Sequence, residues 1–560
     1  MFSKVLIANR GEIAVRVART CRDLDIGAVA VYSDVDEGAR HVRAATEAVR
    51  LPGAIPSDTY LNVAALLDAA SATGVEAVHP GYGFLAEDHR FARAVGDAGL
   101  TWIGPPPDAI EAAGDKVRAR RLAIDAGVDV VPGTTDPVDA GGVRAFGAAH
   151  GYPLAIKAAG GGGGRGLKVV HGPGEIAESL DATRREARAY FDSDDVYVEG
   201  YLRAPKHLEV QILGVQRDEI LWLGIRDCSM QRRHQKLIEE TPPARFEHLA
   251  QPMGRAAVAL ARACGYANAG TVEMLVDDAG RFFFLEINAR LQVEHTVTEE
   301  VLGIDLVACQ LRIAAGDEMG LTQEDVRPRG HAIECRINAE DPGRGFRPAP
   351  GRLERIVEPS GPGVRVDSGY GSGDEVPAVY DSLISKLITT GETREQARQR
   401  MLRALSEYEI VGLPTTISAH LLLLDAEAFV AGTHTTETAE QGSILSSLEE
   451  TAAIDEAETD RVLVIGNHEA RLWNPAMARS KSGMESARAS DGAVRTPMHA
   501  TVLKLMVDVG DEVAAGDALV VLEAMKMETV VRATHSGTVA EIGAAGGQTV
   551  AAGQVLVTLS

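Results

Sequence analysis

Cysteine is scarce and scattered: Cys21, Cys228, Cys264, Cys309 and Cys335 are an odd set with no C-x-x-C pair. That argues against a disulfide framework or a zinc site, and for a reducing compartment. No basic start with an apolar stretch of roughly 7–15 residues opens the sequence, and no run approaches the ~20 apolar residues a membrane span requires. A cytoplasmic protein without membrane contact is expected. Positive charge is also short, with 56 Lys and Arg against 80 Asp and Glu and a formal net charge of −24. A nucleic-acid binder needs clustered cations to neutralise phosphates, so no nucleic-acid partner is expected. An anionic substrate would have to find local positive charge against an adverse overall field. Two common nucleotide signatures are missing as well. The turn Asn9-Arg10-Gly11-Glu12 lacks G-x-G-x-x-G spacing, which leaves a simple βα turn or a weak anion site, and the glycine run at 160–164 does not end in Lys-Ser or Lys-Thr.

What is present is the composition of a soluble multidomain protein, 45% hydrophobic and 24% charged over 560 residues, long enough for about three or four domains. Up to residue 110, β-branched runs at 5–8, 28–32, 75–79 and 101–103 alternate with helical stretches such as Ile13, Val17, Cys21, predicting βαβ units around a parallel sheet. The α/β pattern continues to Gly330 and there carries most of the polar, non-periodic residues. Strand-like runs at 331–337 and 363–366 then precede a helical one at 394–408. The segment 436–460 holds eight Asp or Glu and no Lys or Arg, which reads as a solvated linker or exposed helix, and 461–473 alternates like a strand or hairpin.

The last 65 residues contain an internal repeat. Shifting 501–523 by 37 positions gives ten identities in twenty-three, among them Val502/Val539, Gly510/Gly547, Leu519/Leu556 and Leu522/Leu559. Two strand-rich halves with matched turn glycines predict a small barrel or sandwich of quasi-twofold symmetry. Between them lies Glu523-Ala524-Met525-Lys526-Met527-Glu528. A lysine on such a connection suits a swinging cofactor; taken alone, the same residues also fit a strand with its methionines inward and its lysine solvated.

Upstream, Lys157 follows a strand-like run and precedes Gly160 to Gly164, Arg165 and Gly166. Such a loop can fold its N–H groups over a polyphosphate, or it can be only a flexible linker. Glu273 and Glu286 are each placed at the end of a strand-like run and, with Asn288, make an oxygen-rich set suited to Mg²⁺ or Mn²⁺. With Lys116 and the glycine loop, these carboxylates resemble the ATP-grasp superfamily.

The likeness narrows further. The runs VLIANRGEIA (5–14), HPGYGFLAE (79–87), KAAGGGGGRG (157–166), DCSMQRRHQK (227–236), EINARLQVEH (286–295) and ECRINAED (334–341), in that order, resemble biotin carboxylase. A-M-K-M between two related halves resembles the biotinyl domain of biotin-dependent enzymes, with Lys526 as the modified residue. The resemblance implies an α/β N-terminal domain (1–113), an ATP-grasp α/β domain (114–330, mobile part about 132–204) and an α+β C-terminal domain (331–445). After these it implies an acidic linker or reduced interaction segment (446–494) and an all-β carrier (495–560).

For the site, the resemblance implies that Lys116, Lys157, Gly163 and Gly164 meet phosphates. Glu199 to Leu202 would border the adenine, and His207, Gln231 and His234 would line the nucleotide pocket. Gly200 replaces the family's usual Lys, and Ala500 stands where the repeat partner, Gly537, has Gly. Lys236, Arg290, Gln292 and the Val293 backbone would hold bicarbonate for deprotonation by Glu294 and attack on ATP. Arg336 would stabilise the biotin enolate, with Tyr82 near the ring, as a task separate from the ATP and bicarbonate chemistry. No carboxyltransferase barrel of ~250 residues fits after residue 445, so a separate carboxyltransferase (β) subunit is implied. That makes the α subunit of an acyl-CoA carboxylase, acting for acetyl-CoA or propionyl-CoA, the expected role. One component of a split pyruvate carboxylase, or a carrier with a degenerate ATP domain, is the alternative. A biotin protein ligase and self-association of the carboxylase part are implied as well.

Overall fold

The computed structural model describes residues 1–134, 136–158, 167–191, 195–216, 219–441, 443–448, 462–465, 468–471, 492–496, 500–524, 527–550 and 553–560. Gly163, Gly164, Lys526 and most of the acidic segment lie outside them. Strands β1 (Lys4–Ile7), β2 (Gly27–Tyr32), β3 (Glu47–Arg50), β4 (Ala77–His79) and β5 (Thr101–Trp102) form the parallel sheet β3-β2-β1-β4-β5. Strand β3 has no counterpart in the sequence reading, because an edge strand with mostly exposed side chains offers no apolar run. The first helix, Gly11–Asp23, lays Ile13, Val17 and Cys21 against Val5 and Ile7. The turn before it is a plain βα connection. Asn9 donates to the carbonyls of Pro80 (2.7 Å) and Tyr82 (2.8 Å), and Gly369 packs so close that a Cβ there would lie 2.6 Å from the Glu12 nitrogen.

Strands β6 (Leu154–Ala158), β7 (Leu167–Val170) and β8 (Val196–Gly200) make a small sheet, β7-β6-β8, with its own core of Val143, Leu154, Ile156, Val170, Ile176 and Val198. The largest sheet is antiparallel. It takes β9 (Lys206–Gln216), β10 (Glu219–Arg232), β11 (Gln235–Thr241), β12 (Asn268–Val276), β13 (Phe282–Asn288), β14 (His331–Asn338), β15 (Val364–Ser368) and β16 (Leu383–Gly391) in the order β13-β12-β9-β10-β11-β14-β16-β15. Pairing of β11 with β14, Ile238 opposite Cys335, carries one sheet across residue 330.

Alternation along these strands separates two faces. On one, Leu208, Val210, Ile212, Val272 and Met274 pack under the helix Ala250–Ala263, and Ile333, Cys335, Ile337 and Leu387 under the helix Arg394–Glu407. Each buried aliphatic side chain contributes about 1.5–3 kcal/mol. A slip of one residue would put the polar alternates under the helices instead, so this face fixes the register. Those alternates, His207, Glu209, Gln211, Glu273, Glu334, Arg336 and Lys386 among them, are left to the other face.

At the C-terminal end the repeat is structural. Strands Ala500–Leu505, Glu512–Val513 and Ala518–Ala524 recur 37 positions on as Gly537–Ile542, Thr549–Val550 and Val555–Leu559. With Ala493–Arg495 and Met527–Arg532 they form two four-stranded sheets in which each half lends its two-residue strand to the other's sheet. The identical pairs Val502/Val539, Leu519/Leu556 and Leu522/Leu559 are all core residues. Ala524 pairs with Met527 across the connection that contains Lys526. The 461–473 segment includes the antiparallel pair Val462–Ile465 and His468–Arg471.

Candidate active site

The polar face of the large sheet carries a cross-strand row. Arg226 on β10 stands opposite Glu209 on β9, Glu209 opposite Glu273 on β12, and Glu273 opposite Glu286 on β13. Both glutamates named from sequence thus lie within strands, not at their ends. Directly opposed like charges are destabilising, and the protein answers part of the row. Fully buried Arg226 pairs with Glu209 and donates to Gln211 (2.7 Å), Thr298 (3.0 Å) and Thr271 (3.1 Å). Lys236 Nζ lies 2.8 Å from Glu209 Oε2, 3.0 Å from Glu273 Oε1 and 2.5 Å from Glu294 Oε1. His207 Nε2 is 2.8 Å from Glu273 Oε2. Burial disfavours ionisation of Glu273, yet Lys236 and His207 outweigh it and hold the carboxyl well below the usual range.

Glu286 is left unanswered. Burial and the Glu273 charge push its pKa up, with Lys116 acting the other way, and among the described residues no hydrogen bond or ion pair reaches it. Two facing carboxylates, one without a partner, fit a hard divalent cation. Asn288 turns its amide nitrogen to Glu273 Oε1 (2.9 Å) and its oxygen to Arg290 Nη2 (3.1 Å), so that oxygen is engaged within the protein.

Glu294, fully buried, precedes the helix His295–Leu302 and links the row to β14. Besides Lys236 it meets Arg336 Nη2 at 2.8 Å and the Cys228 thiol at 3.7 Å. Burial opposes its charge, but Lys236 and Arg336 keep the carboxyl well below the ordinary range. The second face of Arg336 is held by Glu239, 2.6 Å from Nε. Arg336 therefore touches the carboxylate expected to serve bicarbonate, a contact that the separation of the two tasks drawn from the sequence did not include. Arg290 bonds Glu87 through Nε (2.9 Å) and Gln292 Oε1 through Nη1 (2.6 Å), while Gln292 Nε2 donates to Glu273 (3.0 Å). The Val293 carbonyl accepts from Lys386 at 2.9 Å.

The nucleotide residues named from sequence are more dispersed. Gln231 Nε2 lies 3.3 Å from His207 Nδ1. His234 is exposed on the β10–β11 turn with φ 64°, and Lys116 is exposed at the start of the helix Lys116–Asp125. On the small sheet, Lys157 pairs with Glu199, which also lies 3.6 Å from Arg120; Leu202 is half-buried just beyond β8. Tyr82 is half-buried beneath Lys386. Sequence reasoning missed Glu87, Glu209, Arg226, Glu239 and Lys386. For Glu209 a signal existed: His207, Glu209 and Gln211 alternate with core residues along β9.

Family models match residues 1–110 (biotin carboxylase, N-terminal domain), 115–322 (carbamoyl-phosphate synthase L chain, ATP binding domain), 334–441 (biotin carboxylase C-terminal domain) and 492–559 (biotin-requiring enzyme). The biotin-dependent acyl-coenzyme A carboxylase alpha3 subunit of Mycobacterium leprae is 44% identical over 590 aligned residues, covering 100% of this chain and 98% of its own. The chain belongs to the biotin carboxylase family. It is an ATP-dependent biotin carboxylase joined to a biotin-carrier domain, using biotin, ATP and Mg²⁺. A pyruvate carboxylase subunit of Methanothermobacter thermautotrophicus is 48% identical over 437 residues, 77% of this chain and 88% of that one. Among solved structures, the biotin carboxylase domain dimer of Hydrogenobacter thermophilus 2-oxoglutarate carboxylase, in complex with MgADP, ADP and bicarbonate, superposes with a TM-score of 0.76. It is 43% identical and covers 80% of this carboxylase and 98% of that chain. Among the described residues of the carboxylase, no helix is long and apolar enough to cross a membrane.

Proposed function

We propose that this carboxylase is the α subunit of an acyl-CoA carboxylase and that the charged layer on the large sheet divides the work of carboxylating biotin. Glu294 is the base that takes the bicarbonate proton. Lys236, Arg290, Gln292 and the Val293 backbone hold the anion in place. A carboxylate kept so low is a weak base by itself; an anion that shares Lys236 and Arg290 draws positive charge away from Glu294 and raises it. Arg336 faces the biotin ring, with Tyr82 beside it, and stabilises negative charge on the ring oxygen. Lys116, Lys157, Gly163 and Gly164 contact the phosphates. Glu199 to Leu202, His207, Gln231 and His234 surround the rest of the nucleotide. Glu273 and Glu286, with Asn288 if its amide turns over, hold Mg²⁺ or Mn²⁺, which neutralises phosphate charge when bound. Biotin on Lys526, attached by a biotin protein ligase, supplies the nitrogen that receives the carboxyl group.

The observation that carries this reading is Glu294 itself, fully buried between Lys236 and Arg336 at 2.5 and 2.8 Å. The acceptor rests on a different observation: the Mycobacterium leprae relative matches along the whole chain, carrier included. A cytoplasmic assembly is part of this reading, one in which a self-associating carboxylase part works with a separate carboxyltransferase subunit. Co-purification with that subunit, followed by a panel of acceptors, tests it. Transfer of labelled bicarbonate carbon to acetyl-CoA or propionyl-CoA is the expected result. Transfer to pyruvate instead would favour a split pyruvate carboxylase, the reading to which the Methanothermobacter relative belongs.

A further inference from the structure

Lys386 on β16 is fully buried, and its ammonium meets three separate parts of the chain. It donates to the Val293 carbonyl at 2.9 Å, lies 3.3 Å from Glu12 Oε1 and sits 5.8 Å from the centroid of the Tyr82 ring. In the sheet it stands opposite Arg336 on β14 and Asp367 on β15, so it rises from the same face as Arg336. A charge removed from water is costly unless it is paired. Glu12, from the first helix, supplies that pairing: both its oxygens are buried without another partner, and burial lifts it to about 7 even with Lys386 pulling it down. The turn that Lys386 reaches is held at its other end too, where the Gln292 carbonyl lies 2.7 Å from His295 Nδ1. Without Lys386 the part-buried Val293 carbonyl would lose its donor, and the peptide before Glu294 would be less constrained.

We propose that Lys386 is a positioning residue for bicarbonate: by holding the Val293 carbonyl it fixes the turn 292–294 and aims the Glu294 carboxylate and the Val293 backbone at the anion, with Glu12 as its buried counter-ion. This rests on the reading of Glu294 and Val293 given above. Misplacing a reacting group by about 1 Å can cost on the order of 100-fold in rate, so the effect should be visible although Lys386 touches no substrate.

The test uses the full-length protein and bicarbonate-dependent ATP cleavage. Lys386→Met removes the donor with little change in volume. The KM for bicarbonate should rise about tenfold or more and kcat should fall, with the KM for ATP within about twofold of wild type. The double variant Glu12→Gln/Lys386→Met removes both buried charges and carries the test if the single variant folds poorly. Its Tm should return toward wild type while the bicarbonate KM stays high. A bicarbonate KM that recovers along with Tm would overturn the proposal, as would an unchanged KM in Lys386→Met. Glu294→Gln, run in parallel, keeps the two readings apart. Lost cleavage there beside an unaltered Lys386→Met sinks the Lys386 inference alone; wild-type cleavage there sinks the site reading and this inference with it.

Discussion

Glu294 shares its two cations with other carboxylates, Lys236 with Glu209 and Glu273, and Arg336 with Glu239. A change at either cation therefore alters the proposed base. Glu294→Gln removes the proton acceptor while keeping shape, and ATP cleavage and carboxylation of free biotin should fall together by about 10²–10⁴-fold. Preserved cleavage would remove Glu294 from the chemistry. In Arg336→Met one of the cations that hold Glu294 low is gone, leaving Lys236 and Arg226, so its pKa rises and it stays protonated to higher pH. The acid limb of bicarbonate-dependent ATP cleavage, measured without biotin, should move upward. Carboxylation of free biotin should fall further, by about 10²–10³-fold. An acid limb that stays in place would show that the Arg336–Glu294 contact does not set the base.

Two neighbouring strands place Glu273 against Glu286, a like-charge pair that costs stability and that a cation bound as proposed would relieve. Glu286→Gln relieves that repulsion. Without Mg²⁺ the variant should melt at or above the wild-type temperature, while its apparent affinity for Mg²⁺ in ATP turnover drops by about 10–100-fold. A lower melting temperature with unchanged Mg²⁺ dependence would make Glu286 a structural residue. The small sheet poses a different question. Lys157 is engaged by Glu199, so a phosphate bound as proposed would compete with that carboxylate. Glu199→Gln frees the ammonium but alters the proposed adenine border, and a tighter KM for ATP would show that the first effect dominates.

Across the whole molecule, carboxylase and carrier are separate cores on one chain, with large-sheet clusters in the first and an independent cluster from Val494 to Leu559 in the second. Lys526→Arg should therefore abolish streptavidin reactivity, since arginine does not form the amide, while carboxylation of free biotin continues at the wild-type rate. A streptavidin-positive variant would show that the biotin is attached elsewhere. Loss of free-biotin activity as well would show that the two units depend on each other.

The sequence by itself determined the features written in contiguous residues or simple periods. The parallel N-terminal sheet followed from alternating apolar runs, and the carrier's symmetry from the 37-residue repeat, whose identical residues are its core. The family followed from six motifs in order. These signals are local, because strand and helix periods and turn glycines act over a few residues. Tertiary structure alone decided which charges meet. Glu209 pairs with Glu273 across 64 positions of sequence, and Lys386 reaches Glu12 and Val293 from a strand at the far end of the carboxylase. Register between distant strands is fixed by the apolar face packed under the helices, so the sequence marks the charged row only by its alternation with core residues and does not say which charges meet. The Arg336–Glu294 contact is of the same kind. Arg336 and Glu294 were each legible as chemistry, and only the sheet placed the two side chains in contact.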